Sequence, residues 1–98
     1  MGNQNVVKGD SNNLLGDKNL VGGSYNYADG DKNVVLGNKN LINGDSNSLL
    51  GSQNVVGGSR NAISGSQNGV LGSDNGIRGD LNSVIGNKNA VGGSYNAI

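Results

Sequence analysis

The sequence predicts an all-β protein: a parallel β-solenoid forming a two-faced roll of about 14 residues per coil and seven coils. Three observations carry the prediction. Glycine stands at every seventh residue from Gly2 to Gly93, asparagine three places after each glycine, and an aliphatic side chain two places after each asparagine, from Val7 to Ile98. The unit G-x-x-N-x-[V/I/L]-x runs fourteen times without an insertion, with Ala28 as its smallest apolar member. The chain is therefore read as a single array over residues 2–98.

A seven-residue period also belongs to coiled coils, but those need two apolar positions per heptad and good helix formers elsewhere. Here one position is reliably apolar. Each heptad also carries a glycine, which costs about 1 kcal/mol in a helix, and an unfavourable asparagine. The helix is rejected.

As a strand, the heptad is consistent. Residues two apart point the same way, so the asparagine at position four and the aliphatic at position six face inward together. Positions three, five and seven face outward. Glycine at position one accepts φ > 0, and the Asn, Asp or Ser after it favours a turn. Each heptad reads as a strand of roughly five residues and a two-residue corner. One heptad cannot enclose a core; two give a flat roll, and three would give a triangular coil. The slim core residues favour two, and seven coils at about 4.8 Å make a rod of roughly 34 Å.

Parallel, in-register stacking puts like on like. The aliphatic positions form one inward ladder. The asparagines form another, through Asn5, Asn12, Asn19, Asn26, Asn33, Asn40, Asn47, Asn54, Asn61, Asn68, Asn75, Asn82, Asn89 and Asn96. A buried carboxamide must be hydrogen-bonded. These side chains are expected to bridge to the same group in adjacent coils and to the corner backbone, which makes them scaffold.

Composition narrows the function. Seven basic and seven acidic residues balance, so nothing electrostatic points to nucleic acid or an anionic membrane. Without Cys or His, disulfides, zinc sites and the usual nucleophile–base sets are excluded. No enzyme activity, metal or cofactor is expected. No apolar run reaches membrane-spanning length, and no signal peptide is visible.

Residues 9–43 align with 44–78 and again with 79–98, repeating Gly-Gly-Ser-[Tyr/Arg]-Asn. This is a duplication of five heptads. Because five is odd, each copy lands on the opposite face of a two-heptad coil. Asn-Gly pairs usually mark hairpins, but here they fall within an unbroken repeat. The Gly-Asp corners lack the paired aspartates and nine-residue unit of calcium rolls.

What varies is the outward surface. In odd-numbered heptads position five reads Val6, Leu20, Val34, Ser48, Ala62, Gly76, Ala90, and position seven adds Leu36 and Leu50. In even heptads it reads Asn13, Tyr27, Leu41, Val55, Gly69, Ser83, Ala97. The odd face is the more consistently apolar or small, and exposed apolar surface of this extent marks an interaction face. Its candidate contact residues are Val6, Leu20, Val34, Leu36, Ser48, Leu50, Ala62 and Ala90.

The repeat, in copies such as GDKNVVL (30–36) and GSQNVVG (51–57), resembles the x-x-N-x-V-x-G repeat of the grass ice-recrystallisation-inhibition (antifreeze) proteins. The resemblance covers the whole chain apart from Met1. It implies a left-handed two-faced roll with a valine core and internal asparagine ladders. It also implies an extracellular protein that adsorbs to ice through a flat face of short residues, chiefly Thr, Ser and Val. The expected partners are thus an ice surface or copies of the chain itself, with no nucleic acid and no membrane insertion. The alternative is a self-assembling structural module, a filament subunit or an adhesin stalk. It would associate through apolar faces or through terminal repeats that carry no cap.

Overall fold

The structure, a computed structural model, describes residues 2–98. Thirteen strands, β1 (Val6–Lys8) to β13 (Ala90–Gly92), follow one another at seven-residue intervals, each three residues long. Strands from odd heptads form a seven-stranded sheet in the order β1-β3-β5-β7-β9-β11-β13. Those from even heptads form a six-stranded sheet, β2 (Asn13–Leu15) to β12 (Ser83–Ile85). All pairings are parallel and shifted by 14 residues, as in Val35 beside Val21 and Leu49. Two heptads therefore make one coil.

The roll closes about six turns, where the sequence alone predicts seven. The fourteenth heptad contributes only a bridge, Ala97 beside Ser83, because no further coil pairs with it. The long dimension is 35 Å, with cross-sectional dimensions of 21 and 12 Å. A section this thin holds a single apolar layer from each sheet. Val21, Ala28, Val35, Ile42 and Leu49 are fully buried, and the layer continues to Val91. Val7 and Ile98 stay 46% and 53% exposed, since each has a neighbouring coil on one side only.

The strand is shorter than the five residues expected from the sequence, and the corner correspondingly longer. Position three does not extend outward from a strand. In every heptad, from Gln4 to Tyr95, it lies in the left-handed region with φ between 59 and 66°. A flat coil must reverse its direction every seven residues, and two positive-φ residues, glycine at one and this residue at three, achieve that. Left-handed geometry costs roughly 1–2 kcal/mol for a residue bearing a Cβ. Regular hydrogen bonding offsets it, as where the Lys39 N–H donates to the Ser24 carbonyl at 2.9 Å.

Glycine at position one is fixed by contact as well as by φ. A Cβ on Gly51 would lie 1.8 Å from the carbonyl oxygen of Gly65 in the next coil. Wherever a further coil follows, the corners stack too closely for any side chain there.

Candidate functional site

The corner backbone decides which side chains are scaffold and which are free for function. The N–H of position one reaches a carbonyl 15 residues back, as Gly37 to Gly22 at 2.9 Å, and position three does likewise. That of position five reaches 13 residues ahead, as Leu41 to Asn54 at 2.8 Å. The corner N–H groups at position four are taken instead by side chains, as are those at position two where the next coil places an Asp or Asn there, and this accounts for the two polar positions of the repeat.

At position four the acceptor is the asparagine of the preceding coil. Asn33 Oδ1 accepts from the Asn47 N–H at 2.9 Å, while Asn33 Nδ2 donates to the Gly44 carbonyl at 2.8 Å. One carboxamide thus brackets the whole Gly-x-x-Asn corner of the next coil. The same pattern runs through the buried asparagine ladder, from Asn19 to Asn82. Direct amide-to-amide bonds occur beside it, Asn40 to Asn26 and Asn61 to Asn47, each at 3.1 Å. Among the described residues no buried side-chain nitrogen or oxygen is left without a partner. Asparagine fits here because it both accepts and donates; aspartate or serine does not offer both in that geometry.

At position two the direction reverses, and the acceptor belongs to the following coil. Asp17, Asp31 and Asp45 accept from Asn3, Asp17 and Asp31 at 2.7, 2.7 and 2.8 Å. Asn38, Asp80 and Asn87 do the same at 2.7–2.8 Å. Serine reaches less well: Ser94 and Ser73 accept at 3.2 and 3.4 Å. The aspartates are corner acceptors, and among the described residues no group of three or more acidic side chains is placed to hold a metal. On the same edge Arg60 Nε pairs with Asp74 Oδ1 at 2.9 Å. That pair is solvent-exposed and contributes little to stability.

With both ladders committed, the outward residues of the strands remain. The eight candidate contact residues all lie on the seven-stranded sheet. Val6, Leu20, Val34, Ser48, Ala62 and Ala90 form the rank at position five, in register from β1 to β13. Leu36 and Leu50 adjoin each other in the second rank. No charge enters the first rank; Lys8 and Arg78 belong to the second. The six-stranded sheet instead presents Asn13, Tyr27, Asp29 and Asn43 among its aliphatics.

The face is not uniformly level. From β1 to β7 its side chains are bulky, with Leu20, Leu36 and Leu50 all standing exposed. From β7 to β13 a shallow trough of about 560 Å³ opens. It is floored by Ala62, Gly76, Ala90 and Gly92 and bordered by Leu50 and Arg78. Gly76, Ser64, Arg78 and Gly92 therefore belong to the face beside the residues expected from sequence. Gly76 completes the rank at position five, and Ser64, Arg78 and Gly92 lie in the rank at position seven. Gly22 lies under Leu36, whose Cδ2 is 3.0 Å from where a Cβ would stand, and Gly57 lies likewise under Leu71 at 2.9 Å. The two pairs are 35 residues apart and on opposite sheets, as the odd number of duplicated heptads requires.

The sequence model of one family, described as the grass antifreeze beta roll, matches residues 27–98. No curated protein matches the chain. The matched segment holds most of the coils whose corners, core and ladders are described above, so the chain belongs to the grass antifreeze beta roll family.

Proposed function

We propose that this protein is a non-enzymatic, ice-adsorbing β-roll that restrains ice recrystallisation through the outward face of its seven-stranded sheet. The carrying observation is the uncharged rank at position five, seven residues from Val6 to Ala90 held in register by parallel pairing. In-register strands set these side chains one strand spacing apart, about 4.8 Å. A straight rank of short, mostly apolar side chains on a stiff backbone gives adjacent water a periodic surface. Ice that meets such a surface can hold the protein in place, and a growth front pinned between adsorbed molecules must curve, which slows its advance.

The scaffold supports the reading through rigidity. Corners are fastened to the next by the inner asparagine bonds and, at eight of them, by an outer bond as well, so the rank keeps its spacing without ordering cost at the moment of adsorption. The reading is tested by annealing a frozen solution holding micromolar protein and following grain size. Arrested coarsening is expected. Ordinary grain growth, equal to that with an inert protein, overturns it.

A further inference from the structure

We infer that in solution the face of the seven-stranded sheet pairs with the same face of a second copy, in an antiparallel two-fold dimer centred on β7. The observation is a size complementarity along the face. A two-fold axis parallel to the strands through β7 (Ser48–Leu50) sets β1 against the partner copy's β13, β3 against β11 and β5 against β9. Position five then meets position five. Val6 faces alanine at 90, Leu20 faces glycine at 76, and Val34 faces alanine at 62. Position seven follows the same rule, with Leu36 opposite serine at 64. Away from the axis, the bulky side chains Val6, Leu20, Val34 and Leu36 of one half enter the trough of the other, about 560 Å³ per copy, while Leu50 meets Leu50 of the partner copy on the axis.

Within the strand ranks of this register the cations Lys8 and Arg78 meet Gly92 and Gly22, so no like charges are opposed there. Stacking the two rods in the same direction instead sets bulky half on bulky half and trough on trough. That leaves an apolar void, which forfeits packing. Three-residue strands about 10 Å wide along the 35 Å length give a paired face of about 350 Å² per partner, under half of the roughly 800 Å² of a standard interface, so the dimer is a weak, concentration-dependent one. The pairing uses the face assigned above to ice but not its ligand, so the two compete for one surface and are tested separately.

Sedimentation equilibrium of the full chain, with nitroxide labels on Ser46→Cys or Gln4→Cys, tests the inference. The chain has no cysteine of its own, so each label is unique. Expected are a two-chain mass, a short label separation at residue 46 near the sheet spacing of about 10 Å, and a long one at residue 4 of roughly 30 Å. A monomer throughout, an open-ended assembly, or short separations at both positions overturns it. Gly76→Arg, at a position where an added Cβ meets nothing within 4 Å, keeps the fold and fills the trough. It is expected to weaken the dimer about tenfold or more; an unchanged dimer in that variant, with circular dichroism intact, also overturns the inference. Grain-growth results have no bearing on these outcomes, so failure of the ice reading and failure of the dimer are distinguishable.

Discussion

Asn33 holds the backbone of Asn47, fourteen residues on, through a 2.9 Å bond from the Asn47 N–H to its Oδ1. With its Nδ2 it also holds the Gly44 carbonyl at the other end of that corner. Repeated coil after coil, this bracket joins neighbouring turns at points that the sheets do not reach. Replacing Asn33 with alanine strands a buried donor and a carbonyl together. The expected loss is about 2–4 kcal/mol, read from the midpoint of chemical denaturation. Asn96→Ala is the control: its Nδ2 makes a 3.2 Å bond within its own coil, to Gly92, and its loss is expected to cost under about 1 kcal/mol.

Glycine at the corner answers two demands that can be separated by position. At Gly51 an added Cβ meets the Gly65 carbonyl oxygen at 1.8 Å, whereas at Gly93 the nearest atom, Asn96 Nδ2, is 3.7 Å away. Both have positive φ. Gly93→Ala is expected to cost only the backbone term, about 1–2 kcal/mol. Gly51→Ala forces two coils apart and is expected to abolish the cooperative unfolding transition. Thermal melts of the two variants, side by side, check the difference.

The outer ladder offers a stabilising change. Ser73 accepts from the Ser59 N–H at 3.4 Å, while Asn87, one coil on, accepts from Ser73 at 2.8 Å. Ser73→Asn supplies the longer acceptor without adding charge. A gain of about 0.5–1 kcal/mol is expected, visible as a raised denaturation midpoint with an unchanged slope.

The chain contains no threonine, whereas the face its family resemblance implies is built chiefly of Thr, Ser and Val. Ala62 and Ala90 stand exposed in the uncharged rank, and threonine suits a strand. The double variant Ala62→Thr, Ala90→Thr is expected to arrest grain growth at a several-fold lower protein concentration than the parent. Unchanged potency counts against the position-five rank as the contact surface.

Much of this fold was legible in the repeat. Glycine, asparagine and the aliphatic specify corner, bracket and core, and two-residue alternation places Asn33 and Val35 on the inside together. The left-handed residue at position three was not legible, because Lys18, Tyr25, Gln53 and Arg60 share no feature that marks such a backbone. Its conformation comes from the closure of the coil, not from the residue. The trough escaped for a related reason. Gly76 and Gly92 are unremarkable in sequence, and become a hollow only once pairing sets them beside Ala62 and Ala90. The face as a set of residues could be read, but its relief required the register.

Adsorption to a single ice surface tests the central claim most directly. Dye-labelled protein is cooled against a growing ice hemisphere, with Ala62→Arg on the seven-stranded sheet and Ser83→Arg on the six-stranded sheet as paired variants. Both substituted positions are exposed, Ala62 within its sheet and Ser83 on the last strand of the other, so both variants are expected to fold. The account predicts that the parent and Ser83→Arg coat the ice and Ala62→Arg does not. Equal coating by all three, or loss with Ser83→Arg alone, would contradict it.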